Sequence, residues 1–376
     1  MKRWLQKIAL MAVSLLIALL GAELVVRLTL YVPRGTPYVA EDPDTIYFNK
    51  PDIVGRHDSP GEFSYQFKTG SRGFRSGEHG PGKSDVPRIL CLGDSFTFGI
   101  GVDDLNTWPA QLETSLLASG KRPEVVNAGV MGWGLAEYWI WTSLHALEIQ
   151  PSLIIVACHA GDWENASNGL TSVESDGTLK RHQVVRKDIS RLKKVTAQIP
   201  FYDTLMTHSA IANLIKQAVI RVTNAGTTGG AIMSAENARD LAARETALFE
   251  KLTPVNRALL RGLQQTAKDV GAGLLIAFIP SYGEITPGGE PGAGQKRFRQ
   301  DLTAWTQELG ISFVDTTPML KRHLEKHALP VEALYFPKNE HCTTVGYQVI
   351  AKGISEEIAR HPEWLASPGN QPSVGF

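Results

Sequence analysis

A serine and a histidine stand far apart in this sequence, each in surroundings that suit acyl chemistry. Gly93, Asp94 and Ser95 follow the apolar run Ile89 to Leu92, and the stretch from Phe96 to Gly101 adds two more glycines. A serine on a tight strand-to-helix turn is presented at the carboxyl edge of a sheet. There a base can take its proton, and its own amide can face a developing oxyanion. His341 stands just ahead of a C-terminal helical pattern and offers such a base, with Asn339 and Glu340 immediately before it. The same glycine-rich turn does not suit phosphoryl transfer, because no Lys-Ser/Thr pair follows Gly99 or Gly101 as a P-loop requires. His145, His182, His323 and His327 have no motif around them and read as packing or surface residues.

The elements that must position these residues begin at Arg88, where short apolar runs start to alternate with longer amphipathic ones. That rhythm predicts strands and helices winding a parallel sheet. Strands are expected at Ile89 to Leu92, Glu124 to Asn127, Leu153 to Cys158, Gly273 to Ile279 and Ile311 to Val314. Helices are expected at Trp108 to Leu117, Leu135 to Leu147, Ala235 to Val270 and Lys296 to Leu309. Residues from about 168 to 234 break the rhythm and end in the run Gly226 to Gly230, which reads as an insertion or cap. The Gly and Pro cluster from Pro287 to Gly294 follows a strand and falls where open α/β sheets bind ligands.

Three segments in this order resemble the sequence blocks of the SGNH (GDSL-type) hydrolases. RILCLGDSFTFGIGV is similar to the first block, whose serine is the nucleophile, here Ser95. EVVNAGVMGWG is similar to the second, which places Gly132 at an oxyanion-hole position; a turn glycine needing positive φ is the plainer reading of that residue. YFPKNEHCTTVGYQVIA is similar to the last block and places His341 as the base. The resemblance covers roughly residues 88 to 360. It implies a three-layer, flavodoxin-like α/β fold with a parallel sheet and a site for cleaving or transferring acyl esters.

Two departures from the family pattern stand out. The acid usually found two or three residues before the histidine is replaced by Asn339 and Lys338, with Glu340 adjacent. An asparagine oxygen can accept the imidazole proton but cannot neutralise an imidazolium, and the analogous loss in a serine protease costs about 10⁴ in rate. A Ser–His dyad, or a carboxylate from elsewhere, stays open. The third block, normally Gly-x-Asn-Asp, reads here His159, Ala160, Gly161 and Asp162. Gly161 therefore stands where the family has an oxyanion donor, a loss worth about 10² to 10³ in turnover. Asn165 is a nearby substitute, and Asp94 and Asp162 are auxiliary acids, Asp162 read as structural.

The first residues carry Lys2, Arg3 and Lys7, and from Ile8 to Val26 only Ser14, Gly21 and Glu23 are not apolar. A run of that length predicts a helix crossing a bilayer through residues 8–26, its basic end cytoplasmic. A cleaved signal peptide is the alternative, with a poor cleavage pattern around Leu20 to Ala22. Glu23 is expected to reach the interface from one turn inside the outer end. The domain plan is then a cytoplasmic start and anchor at 1–27, a stalk and irregular wrap at 28–87, an SGNH-like domain at 88–362 and a tail at 363–376.

Of 376 residues, 43% are hydrophobic and 20% charged, which fits a globular chain rather than a disordered one. Lys plus Arg and Asp plus Glu are equal at 38 each, so no global field favours nucleic acid. Cys91, Cys158 and Cys342 are too few and scattered for a zinc motif or disulfide framework and read as core residues. A Cys158–Cys342 disulfide is the one pairing worth testing. No cofactor or metal is expected. The leading function is a serine esterase acting on small acyl esters, acetyl foremost, of an extracytoplasmic glycan, placed on the periplasmic side of the inner membrane beside polysaccharide-biosynthesis partners. A polysaccharide O-acyltransferase of the same fold and a catalytically decayed binding or assembly module are the alternatives.

Overall fold

The computed structural model describes residues 2–29, 35–77, 85–165, 169–182, 198–224, 235–289 and 292–366. In chain order the elements are α1 (Lys2–Thr29), then β1 (Val39–Asp42), β2 (Ile46–Asn49), β3 (Val54–Ser59) and β4 (Phe63–Lys68). Next come β5 (Arg88–Gly93), α2 (Ser95–Phe98), α3 (Trp108–Ala118), β6 (Glu124–Gly129), α4 (Leu135–Ile149), β7 (Leu153–His159) and α5 (Asp162–Asn165). A hairpin of β8 (Thr171–Val173) and β9 (Leu179–Arg181) precedes α6 (Tyr202–His208), α7 (Ala210–Asn224) and α8 (Ala235–Asp269). The chain closes with β10 (Gly273–Ile279), α9 (Tyr282–Ile285), α10 (Ala293–Leu309), β11 (Ser312–Asp315), α11 (Thr317–His327) and α12 (Thr344–Ile358).

Two compact units emerge, one of residues 1–37, 55–65 and 186–232, the other of residues 38–54, 66–185 and 233–376. The larger unit is built on a five-stranded sheet in the order β11-β10-β7-β5-β6, with every neighbouring pair parallel. Numbered by sequence this is the flavodoxin-like order, whose switch point lies between β5 and β7. The three-layer α/β fold is thus the one expected from the sequence. Its strands are buried on both faces, which is why they read as unbroken apolar runs. Alternate residues serve two cores. Leu90, Leu92, Ile154, Val156 and Ile276 face α4, α8 and α10, while Ile89, Cys91, Ile155, Leu275 and Ala277 face α3 and α12.

That alternation settles the cysteines. All three are free and buried, and Cys158 belongs to one core whereas Cys342 belongs to the other, so the sheet separates them. The segment read from sequence as an irregular wrap holds four short strands. Phe63–Lys68 even alternates strictly between buried and exposed residues. In the insertion, the described residues form the β8–β9 antiparallel hairpin and the helices α6 and α7, while Gly226 to Gly230 lie outside the described residues. Part of the Pro287 to Gly294 cluster, residues 290–291, does so as well, as does most of the tail, residues 367–376. Packing continues just past 362, since Trp364 covers Gly273, where any Cβ would meet its indole at 2.3 Å.

In the smaller unit, α1 is 28 residues long, about 42 Å at the helical rise, and apolar enough to cross a bilayer. Glu23 does not simply reach outward as expected. Its carboxylate accepts the backbone N–H groups of Ala210 at 2.7 Å and Ile211 at 3.1 Å, capping the start of α7.

In the larger unit the pre-sheet segment reaches the loop that follows α2. Arg75 is fully buried and donates to the carbonyls of Phe98, Gly99 and Val102 at 2.6 Å each and to Asp104 at 2.9 Å. Tyr38 and Phe67 stack on Phe98 at 4.6 and 5.5 Å between ring centres. Replacing Arg75 by Met keeps much of the stem but leaves three buried carbonyls and a carboxylate without their donor. Arg75→Met is expected to lower stability by about 3–5 kcal/mol. Urea midpoints of parent and variant check this, and an unchanged midpoint would show the clamp to be dispensable.

Candidate active site

Ser95 opens α2 directly beyond β5, at the carboxyl edge beside the switch point. Asp94 caps the turn, its Oδ1 accepting the Phe96 N–H at 2.8 Å, and Gly99 ends it in the left-handed region at φ 92°. So short a turn forces close backbone contact. A Cβ on Gly93 would lie 2.0 Å from Thr97 Oγ1, and one on Gly129 would lie 2.2 Å from the Phe98 nitrogen. Only glycine lets the turn sink onto the ends of β5 and β6. Asn127 Nδ2 then donates to the Thr97 carbonyl at 2.9 Å, and Val130 N–H donates to the Gly93 carbonyl at 3.0 Å.

His341 arrives from the loop before α12. Glu340 adopts φ 61°, and its N–H donates to the Phe336 carbonyl at 2.8 Å, while Phe336 N–H donates to the His341 carbonyl at 2.8 Å. This reversal lets His341 fold back over Asn339. Nδ1 lies 3.1 Å from the Asn339 main-chain oxygen and 2.6 Å from its Oδ1, and Nε2 lies 2.8 Å from Ser95 Oγ. A main-chain carbonyl can only accept, so Nδ1 carries the proton and donates it. The Nε2 lone pair is thereby left facing the serine hydroxyl, the tautomer a general base needs. Glu340 is exposed and does not supply the orienting group.

Phe96 holds the base from the side, its ring stacked on His341 at 4.6 Å and, on the other face, on His159 at 4.3 Å. Burial, and then the like charge of His341, drives the His159 imidazole down to about 3, so it is neutral. Its Nδ1 accepts the Gly161 N–H at 3.3 Å. Asp162 is buried and accepts the Tyr138 hydroxyl at 2.9 Å and the His159 N–H at 3.0 Å. Burial pushes the Asp94 carboxyl up to about 7, and burial and then Asp94 hold the Asp162 carboxyl well above the ordinary carboxylate range. Asp94, His159 and Asp162 each place a donor atom within 4.8 Å of the others. Those groups are engaged with Phe96, Gly161, Tyr138 and the His159 amide, and form a hydrogen-bonded bracket beside the turn.

Ser95, His341 and Asn339 are therefore brought together as a contiguous chain of contacts. Gly132 lies in the turn after β6 at φ 78°, where a Cβ would meet the Tyr47 hydroxyl at 2.8 Å. The positive φ is the one that the turn-glycine reading requires, and Val130 N–H joins this loop to the turn at Ser95. Gly161, in the place of the family's asparagine, directs its amide to His159. Asn165 ends α5, and its side chain lies outside the described residues. Sequence reasoning passed over the Asn339 main-chain carbonyl, Phe96, His159, Tyr138 and Gly129. Only Gly129, at a strand end opposite the Gly93 turn, carried a signal.

The model of the GDSL-like lipase/acylhydrolase family matches residues 91–349. Among solved structures, similar folds include the acetylxylan esterase Axe2 from Geobacillus stearothermophilus, at 14% identity over 76% of this chain and 100% of that one, TM-score 0.40. A lipolytic protein of the G-D-S-L family from Veillonella parvula is 13% identical over 73% and 98%, also with TM-score 0.40. A lipase/acylhydrolase from Enterococcus faecalis is 13% identical over 73% and 96%, TM-score 0.38. Comparison with curated proteins returns no match.

The acid pair makes stability depend on pH. The folded state holds protons on Asp94 and Asp162 more tightly than the unfolded chain, whose ordinary value is 3.8. Folding therefore takes up protons above that value, and stability falls as pH rises through the window up to the raised values. An asparagine at 162 still accepts from Tyr138 and His159 but has no charge to bury. The stability difference between Asp162→Asn and parent should move in the variant's favour as pH rises from about 4 to about 8. Denaturation midpoints across that range test it, and a pH-independent difference refutes it.

Proposed function

Because the chain belongs to the GDSL-like lipase/acylhydrolase family, we propose that it is a serine ester hydrolase with Ser95 as nucleophile and His341 as base. The observation that carries this reading is the 2.8 Å approach of Ser95 Oγ to the acceptor nitrogen of His341. His341 takes the hydroxyl proton as Ser95 attacks the acyl carbon, then returns it to the departing alkoxide; water activated by the same imidazole releases the acid. The amides of Ser95 and Gly132 serve the oxyanion, and the Gly161 amide joins them only by leaving His159. Asn339 orients the imidazole through two carbonyl oxygens, whose dipoles offset the imidazolium charge less than a carboxylate would.

The finer reading is a small acyl ester, acetyl foremost, on an extracytoplasmic glycan. It is supported by α1, read as a single inner-membrane span whose Lys2, Arg3 and Lys7 stay cytoplasmic and leave the domain periplasmic. A glycan hydroxyl in place of water would turn the same acyl-serine into an O-acyltransferase intermediate. Two observations favour a binding or assembly module instead: Asn339 in the acid's place, and Gly161 in the donor's place with its amide engaged.

The full chain in detergent, given a short-chain activated ester, distinguishes these readings. Ser95→Ala should abolish turnover, and Glu340→Gln should leave it unchanged. Asn339→Asp should raise turnover by about 10- to 100-fold, less than the roughly 10⁴ seen where an amide also imposes the wrong tautomer. Equal background rates in all four correctly folded proteins would leave the binding module standing. For the topology, a C-terminal alkaline-phosphatase fusion is expected to be active, and activity of a cytoplasmic reporter there instead would reverse the orientation.

A further inference from the structure

In the smaller unit a helix is tied to α1 near the end of its apolar run. Glu23 lies within the apolar run of α1, three residues before Val26, about 4.5 Å along the helix from the end of that run. The same carboxylate caps α7 through Ala210, Ile211 and the Ser209 hydroxyl at 3.0 Å. Arg27 clasps it at 2.7 Å and donates to the His208 carbonyl, which ties the end of α6 to the same spot. α6 therefore ends and α7 starts near the level where the apolar run of α1 gives out.

Their outer surface suits that level. Leu214, Ile215, Ala218 and Val219 form an exposed stripe at the i, i+1, i+4, i+5 spacing of one helical face. Ile215 is 59% exposed, and Phe201, at the start of α6, is 81% exposed. On α1, Leu20, Leu24 and Leu28 on either side of Glu23 are exposed as well. Asn213 is turned inward instead, donating to the carbonyls of Met206 and Ser209. Between Asp203 and Glu236 the sequence has no acidic residue, while Lys216 supplies positive charge for lipid phosphates.

We infer that α6 and α7 form an interfacial foot, lying in the headgroup region of the bilayer that α1 crosses, with Phe201 and the Leu214–Val219 stripe inserted among the lipid chains. The inference rests on α1 being a membrane span. The occupant of this apolar face is lipid, because the Glu23 cap starts α7 near the end of the apolar run of α1 and the exposed stripe begins at Leu214, about one turn further on.

Nitroxide labelling of the full chain in phosphatidylcholine–phosphatidylglycerol vesicles tests it. Cys91, Cys158 and Cys342 are buried, so single cysteines can be introduced as Phe201→Cys, Ile215→Cys, Leu19→Cys and Leu105→Cys. Collision with oxygen should exceed collision with an aqueous nickel chelate at 201 and 215, at a shallower depth than at 19. Position 105, whose leucine is 78% exposed, should report water. Labels at 201 and 215 that behave like 105, while 19 stays lipidic, would overturn the foot and leave the span intact. Labels at 201 and 215 shielded from both reagents would assign the face to protein and also overturn it. An aqueous label at 19 would remove the span and the foot together.

Discussion

The active geometry depends on one steric constraint: the backbone of the nucleophile turn lies against the ends of two strands with no room for a side chain between them. Gly93 and Gly129 make that contact, and the four-residue α2 can exist only because they do. Everything that defines the site follows from the resulting depth. Ser95 is held at the sheet edge, the Gly132 loop is tied to the same edge by Val130, and Phe96 is turned to lie between two imidazoles. A Cβ at either glycine would lift the turn and misplace the hydroxyl relative to His341, which is anchored separately from the other end of the chain.

The site is electrostatically economical. Asn339 stands where the family has an acid, and the histidine is fixed in the useful tautomer by a main-chain oxygen that no substitution removes. Acidity is concentrated one layer deeper, in Asp94 and Asp162, where burial keeps protons on the pair and lets it act as hydrogen-bonded scaffolding. The turn is thus held by hydrogen bonds to protonated carboxyls rather than by charge. A neutral His159 fits the same logic, since its ring packs against Phe96 without placing a second positive charge near the base.

The sheet and its flanking helices were legible because their signals are local and strong. Buried parallel strands such as Leu153–His159 are continuous apolar runs, and α8 is long and periodic. Ser95 and His341 were legible through motifs, and their meeting across 246 positions of sequence follows from the strand order. What stayed hidden depends on partners remote in sequence or on the main chain. The Asn339 carbonyl has no signature in residue type, and Glu340 gives no hint that it takes a left-handed conformation. Phe63–Lys68 did alternate at period two, but amid Gly, Pro and charge the short strands read as irregular. Glu23 looked like a lone charge in an apolar run because its partners, at 209 to 211, cannot be found from spacing.

The Arg75 clamp bears on where the chain can be cut without losing the fold. A fragment begun at Arg88, the first residue of the first strand of the central sheet, would contain Ser95, Phe96, Asn339 and His341. It would still lack the guanidinium that holds the carbonyls of Phe98, Gly99 and Val102, and the rings of Tyr38 and Phe67 that cover Phe98. The minimal autonomous hydrolase domain therefore starts no later than Tyr38. A cut in the stretch between α1 and the sheet would separate these supports from the turn, unless it fell before that tyrosine.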